Sequence, residues 1–516
     1  MKSSSDFLWH LIHSLTKNEK LFFKRNFAVS RSKTESLYIK LFDEIARQKE
    51  YDEAAILKKF EPALSKKNIA HQKHYLQKQI CDAIITYDNQ VSDSRDIYDQ
   101  VKLVRIYRKK GLIDEAHSAW KKAVISARNS ESFALLNLLK TEFEKMVLSS
   151  NHPASYDELH DVFKGNIITY TEYAEMITLR DLYTEILLLK RKAHFDQGQE
   201  LRKKTENLLA KIERTSSCTS FQSFWFRHYY SMSKATLLYL SNNSAAAMGL
   251  LQQVFTAWKQ NPRYIKTHGE YYIEVLYMIN YAGVLNGDYQ YVLNCFEDRL
   301  NEELQEPVQR ANFEVVKFLA LNKVYNKTGK YEDVETLVDH MKKKYRHWEP
   351  TLSDDMNNTV NISLGIACFV LHQYADALYF IKRAITYFRD GREEHAAAAN
   401  MLLLLVSYEM NNSRLFDAQY RSTYNYFYKR KKSHVFETAL ISCLHRTFYT
   451  TETKKRSEEF QKALEIFKTN KEDVTQQRSF NIFNYPGWLT SKVLRLDYKE
   501  YVQRQLKKEA TAVPAL

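Results

Sequence analysis

At 516 residues, with 76 Lys and Arg against 62 Asp and Glu, the chain carries a formal net charge of +14 and is too long for one ordinary hydrophobic core. Its 11 glycines and 7 prolines fall well short of the usual shares of about 7% and 5%, which argues against a strand-rich fold and for long helices joined by short connections. Hydrophobic residues make up 44% of the chain and tyrosine occurs 35 times, a composition that excludes general disorder.

The opening "MKSSSDFLWHLIHSLTKNEK" lacks the apolar core of a secretory signal. Within it, Thr16 and Glu19 have the spacing of a capping box and predict a helix start. "TESLYIKLFDEIARQ" and "DEAAILKKF" continue in helical period, "EPALSKKN" reads as a loop, and "IAHQKHYLQKQICDAIITY" as a further helix. Residues 1–90 are therefore expected to form a basic N-terminal cap of four or five helices. Residues 1–110 hold 22 Lys and Arg against 14 Asp and Glu, a surplus able to attract an anionic partner.

Four later stretches align: "LVRIYRKKGLIDEAHSAWKKA", "INYAGVLNGDYQYVLNCFEDR", "LNKVYNKTGKYEDVETLVDHM" and "LGIACFVLHQYADALYFIKRA". Each opens on an aliphatic residue (Leu103, Ile279, Leu321, Leu364) and reaches a turn position eight residues on, at Gly111, Gly287, Gly329 and His372. A large apolar residue follows at Ile113, Tyr289, Tyr331 and Tyr374, then a smaller one at Ala116, Val292, Val334 and Ala377. The same helical face carries Trp120, Phe296, Val338 and Ile381. Glycine suits the left-handed residue that ends a helix, and the apolar steps of three and four restart one. The pattern predicts helical hairpins at a spacing of 42 and 43 residues over the last three copies.

On these residues, and most closely on "NGDYQYVLNCF" and "TGKYEDVETLV", the chain resembles the tetratricopeptide repeat family. Looser matches are "LSNNSAAAMGLLQQVF" and "MNNSRLFDAQYRSTYNYF". Its overall layout also resembles uncharacterised bacterial tetratricopeptide-like proteins of similar length. The resemblance implies an all-α solenoid of stacked helical hairpins behind the N-terminal cap. His372 in place of glycine and the long spacing predict irregular, extended hairpins.

The expected organisation is a cap at 1–90, helical hairpins with the first repeat-like unit at 91–214, the solenoid at 215–500 and a disordered tail at 501–516. Within it, 131–214 is helical without a clean repeat. "FQSFWFRHYYSMSKATLLYL" is apolar nearly all round and should be buried on several sides, and "NYPGW" reads as a turn between late helices. The five scattered cysteines are expected to be reduced and buried. No aliphatic run approaches the ~18–20 residues of a membrane span, so the expectation is a cytoplasmic protein without membrane insertion.

No phosphate-binding loop, dinucleotide turn or nucleophile elbow is present. The pairs His10/His13 and His71/His74 lack further ligands at metal spacing. Asp354–Asp355 and Glu302–Glu303 sit in solvated contexts with no cleft to separate their pKa values. The reading is a non-enzymatic protein with no cofactor and no metal. Two clusters, "KKKYRH" at 342–347 and "YNYFYKRKK" at 424–432, mix cations with aromatics as single-stranded nucleic-acid sites do. Helical spacing nevertheless assigns Tyr424, Phe427 and Tyr428 to the core.

In the family resembled, ligands bind along first helices. Carried to this chain, the contacts fall on Arg105, Arg108, Lys109, Tyr277, Tyr281, Lys323, Asn326 and Lys327. That basic and aromatic lining implies a scaffold for a protein or an acidic, extended peptide. The alternative is a nucleic-acid-binding regulator in which the N-terminal cap, with Lys66, Lys67, Lys73 and Lys78, touches phosphates and the repeats act as sensor. The alternative gains if the cap's cations form an unbroken stripe, and fades if they interleave with Asp43, Glu44, Glu50, Asp52 and Glu53.

Overall fold

The computed structural model describes residues 6–28, 33–91, 95–149, 170–193, 199–215, 223–387, 393–430, 434–470 and 474–512. Among these, all regular structure is helical, in 25 α-helices and two short 3-10 turns. The chain falls into two compact units, Met1–Lys164 and Gly165–Leu516.

The first unit opens with five helices: α1 (Phe7–Ser14), α2 (Lys17–Ala28), α3 (Lys33–Arg47), α4 (Glu53–Lys59) and α5 (Ile69–Val91). The capping box starts α2 as the sequence predicts: the backbone N–H of Thr16 donates to Glu19 at 2.6 Å, and that of Glu19 to Thr16 Oγ1 at 3.3 Å. Ile12, Phe23, Leu41, Phe42, Ile56, Leu76 and Ile80 make a core of their own. Three more helices follow, α6 (Arg95–Lys109), α7 (Ile113–Asn129) and α8 (Phe133–Ser149). They close around Trp120, whose indole N–H donates to the Leu139 carbonyl at 2.8 Å.

The second unit is a stack of hairpins. In chain order these are α9 (Tyr170–Ala193) with α10 (Gln199–Thr215), α11 (Phe224–Leu240) with α12 (Ser244–Gln260), and α13 (Arg263–Asn286) with α14 (Tyr289–Glu297). Next come α15 (Pro307–Thr328) with α16 (Tyr331–Trp348), α17 (Asp354–Val370) with α18 (Tyr374–Thr386), α19 (Glu393–Glu409) with α20 (Ser413–Arg430), and α21 (Val435–Tyr449) with α22 (Thr453–Thr469). The unit ends in α23 (Val474–Ile482), α24 (Tyr485–Leu494) and α25 (Tyr498–Ala512). Each first helix, from α9 through α21 in alternation, packs on the next first helix, so these helices form one row.

One backbone device makes most of the turns. Gly111, Gly287, Gly329 and His372 all adopt positive φ, from 62° to 84°. The residue after each donates its N–H five residues back: Leu112 to Tyr107, Asp288 to Gly283, Lys330 to Tyr325 and Gln373 to Cys368, at 2.8–3.0 Å. This is the Schellman closure of a helix C-terminus. The same closure occurs at Glu131 and Asn242, through Ser132 to Ala127 and Asn243 to Leu238, and Asn411 is left-handed too. The apolar columns behind the turns are buried at Ala116, Val292, Val334, Ala377, Trp120, Phe296, Val338 and Ile381. Leu103 is the exception: it is 40% exposed because α6 turns Val101 and Val104 inward instead.

Three expectations need correction. The tail expected to be disordered from Tyr501 is helical as far as Ala512. Tyr498 and Val502 pack on the hydrophobic core, and Gln503 donates to the Gly329 carbonyl at 3.2 Å. The charge-rich composition of that tail hid its apolar stripe. "NYPGW" is a helix start rather than a turn: Asn484 caps α24 by accepting from the Gly487 N–H at 2.9 Å, with proline in the first turn where its missing N–H costs nothing. Tyr424 and Tyr428 lie outside the core, 53% and 75% exposed, while Phe427 is 5% exposed. The helix from Phe224 is buried on many sides, with Trp225, Phe226, His228 and Tyr229 all inside.

Of the cysteines, Cys295, Cys368 and Cys443 are buried and free and Cys81 is half-buried; Cys218 lies outside the described residues. Burial pushes the thiols of Cys295 and Cys443 up to about 12 and that of Cys368 up to about 11.

Close helix approach within a hairpin depends on small residues. A Cβ on Gly365 would sit 2.4 Å from Ile381 Cγ1 and 3.1 Å from its Cδ1. Gly365→Ala should therefore destabilise the protein by about 1–3 kcal/mol through overpacking, and Ile381→Ala by about 2–5 kcal/mol through the cavity it leaves. In urea unfolding, the double variant should lose less than the sum of the two. Strict additivity would show that the approach of α17 to α18 does not depend on this pair.

Candidate functional site on the first helices

The row of first helices in the second unit carries a polar and aromatic strip. On α9, the nearly buried Lys190 forms an ion pair with Glu274 of α13, and its ammonium lies 5.0 Å from the centre of the Tyr277 ring. One helical turn along α13, the Tyr277 and Tyr281 hydroxyls are 3.1 Å apart and their rings 4.8 Å. From α15, the Lys323 ammonium sits 4.0 Å above the Tyr281 ring, an attraction of the cation–π kind. Asn326 donates to Asn322, at 2.7 Å to its carbonyl and 2.8 Å to its side chain, and Asn322 donates to Ser363 Oγ of α17 at 2.7 Å. The strip thus links side chains of α9, α13, α15 and α17.

Its electrostatics follow from these neighbours. Burial, then the neighbouring Tyr281 hydroxyl and Glu274, raises the Tyr277 phenol well above its ordinary range, so it keeps its proton. The Lys327 ammonium is held below its usual pKa by desolvation and by the charge of Lys323. Its side chain nevertheless reaches solvent. Among the described residues neither Lys323 nor Lys327 has an acidic partner within ion-pair distance.

The strip therefore unites five of the eight residues singled out from sequence: Tyr277, Tyr281, Lys323, Asn326 and Lys327. The other three belong to the first unit and do different work. Glu142 of α8, 1% exposed, accepts from Arg105 Nε at 2.8 Å and from Arg108 at 3.4 Å, with Lys145 at 3.5 Å. Arg105 and Arg108 neutralise a buried carboxylate, so they are structural; Lys109 is exposed. Sequence reasoning missed Lys190 and Glu274, since α9 shows no repeat register. Asn322 carried a faint signal, an asparagine four residues before Asn326 on the same face.

The N-terminal cations interleave with acids. Lys24 pairs with Asp43 at 2.5 Å, Lys59 with Glu44, and Lys73 with Glu53 at 2.5 Å. Lys66, Lys67 and Lys78 are exposed, but among the described residues no unbroken basic stripe results. In the cluster at 342–347, Lys342 binds Asp376 at 2.6 Å and Gln373 at 2.7 Å, and the buried Tyr345 donates to Asn357 at 2.9 Å. Both residues join helices rather than face a ligand. None of the described helices is long and apolar enough to cross a membrane.

No family model matches this chain. No curated protein matches it either. Among solved structures the chain is similar to the apo form of RapI, with 14% sequence identity and a TM-score of 0.44, over 78% of this chain and 100% of that chain. The fold itself is defined by the coordinates: an all-α stack of helical hairpins, with left-handed turns and a polar strip along its first helices.

Two outcomes follow from the charges. Burial pushes the Glu142 carboxyl up, but the Arg105 hydrogen bond and the charges of Arg105, Lys145 and Arg108 outweigh this and hold it below the usual carboxylate range. A depressed carboxylate pKa gives stability above the unfolded value of about 4.5, lost as pH falls through the lower folded value. Glu142→Gln should cost about 3 kcal/mol at neutral pH, and the deficit should shrink towards zero in acid, as read by urea unfolding at both pH values. On the strip, Lys323→Met should raise the Lys327 pKa part of the way to normal, because burial remains; NMR titration of methyl-labelled lysines reads it directly.

Proposed function

We propose that the protein is a non-enzymatic, peptide-binding helical-hairpin scaffold of tetratricopeptide type, and that the strip from Lys190 to Ser363 is its binding surface. One observation carries the reading: Lys323 and Lys327 lie one helical turn apart beside the paired Tyr277 and Tyr281, and among the described residues no carboxylate lies within ion-pair distance of either. The partner class is an extended segment of another protein that brings carboxylates. Lys323 and Lys327 would hold the charge, Asn326 the peptide backbone, and Tyr277 with Tyr281 a flat apolar side chain.

Panning the purified full chain against a random peptide library tests this. The wild type should enrich Asp- and Glu-containing sequences. Lys323→Glu/Lys327→Glu should bind the enriched peptides about tenfold or more weakly, since charge-assisted hydrogen bonds are worth roughly 1.5–3 kcal/mol each. No enrichment, or enrichment indifferent to the charge reversal, would sink the proposal.

A further inference from the structure

The exposed face of α20 carries a second site, independent of the strip. Tyr420, Tyr424 and Tyr428 recur every four residues and form a ladder, with ring centres 6.2 and 6.3 Å apart and the last two rings within 12° of parallel. His445 of α21 stacks on Tyr420 at 4.2 Å and extends the ladder to four rings. Tyr424 and Tyr428 are largely in solvent. The buried side of the same helix is a separate stripe made by Phe416, Gln419, Thr423 and Phe427. The ladder's outer rings are thus not required for packing, and large exposed aromatics in a row mark a docking surface.

Charge decides what docks. Arg414, Arg421 and Lys429 are exposed on α20. Arg414 and Arg421 are seven residues apart, and Arg421 is three and seven from Tyr424 and Tyr428, so a cationic stripe runs beside the rings. Among the described residues these three cations make no ion pair. Asp417, which accepts a hydrogen bond from the Tyr449 hydroxyl, is the one acidic residue of this helix and stands against Arg414, Arg421 and Lys429, so the exposed face keeps a net positive charge. Rings that offer their faces next to unanswered cations are the arrangement that holds unpaired bases and their phosphates together. A proline-rich peptide would use the rings but gain nothing from the cations.

We propose that the outer face of α20, through Tyr424, Tyr428 and Arg421, is a stacking platform for single-stranded nucleic acid. Bases lie on the tyrosine rings and the backbone follows the arginine stripe. Sequence preference is weak, because every base offers a π-face.

The test is fluorescence anisotropy of the full chain with fluorescein-labelled oligothymidylate and oligouridylate of about a dozen nucleotides. Saturable binding is expected. Tyr424→Ala/Tyr428→Ala should weaken it about 30-fold or more, from the loss of two stacked bases. Tyr424→Phe/Tyr428→Phe should keep most of it, since the ring and not the hydroxyl is used. Arg421→Gln should reduce the slope of log affinity against log salt by about 0.7. All variants should melt like the wild type by circular dichroism, because the replaced side chains are exposed. Three results would overturn the proposal: no saturable oligonucleotide binding, binding unchanged in the alanine pair, or a labelled oligoproline that binds the ladder while the oligonucleotides do not.

Discussion

The hairpin stack depends on a backbone residue held at positive φ, followed by an N–H that bonds five residues back. With that closure the connection between paired helices shrinks to two or three residues, as between Asn286 and Tyr289 or Thr328 and Tyr331. A link so short leaves antiparallel packing as the available arrangement. Repetition of the closure at Asn242, Gly287, Gly329 and His372 then brings successive first helices side by side in one row. The row in turn lets a lysine on α15 reach a tyrosine on α13. The polar strip is therefore a consequence of turn geometry before it is one of side-chain choice.

How much of this a sequence can reveal depends on which physical signal each feature leaves. The turn column was legible because glycine at three of its four positions advertises the left-handed conformation, and apolar steps of three and four fixed His372 in the same register. Glu131 adopts the conformation as well, yet glutamate has no preference for it, so nothing marked that turn. Register with the repeats put the strip's tyrosines and lysines on neighbouring first helices, where the structure brings them together, whereas Arg105 and Arg108, chosen by the same rule, pair with Glu142. A buried acid on a neighbouring helix leaves no trace in the repeat pattern. On α20, spacing showed that Tyr424 and Tyr428 share a stripe but not that their stripe lies about 100° from that of Phe427. Period tells which residues are neighbours on a helix; only packing tells which stripe is inside.

The polar strip has its own cost. Lys190 and Asn322 are buried, and a buried polar group without a partner destabilises a fold by roughly 1–3 kcal/mol. Here each has found one: Lys190 in Glu274, and Asn322 in Ser363 and Asn326. Bonds of this kind between first helices are directional where apolar contact is not. They fix the relative axial positions of α9, α13, α15 and α17 more narrowly than packing of aliphatic side chains alone would. The strip is consequently held in one arrangement, which in the proposed reading would lower the entropy a ligand must overcome on binding.

Two members of the strip are left without such compensation. Lys323 and Lys327 are one helical turn apart, and like charges at that spacing oppose helix formation by roughly 0.2–0.5 kcal/mol. Desolvation of Lys327 adds to this. Nothing in the packing of α15 requires either charge, since the buried face of that helix is supplied by Val315, Phe318, Leu319 and Val324. An anion lying between the two ammonium groups would remove the repulsion and regain the Coulomb energy together. In the proposed scaffold, the same mild strain would become part of the affinity for a carboxylate, and an uncharged segment of equal shape would recover none of it.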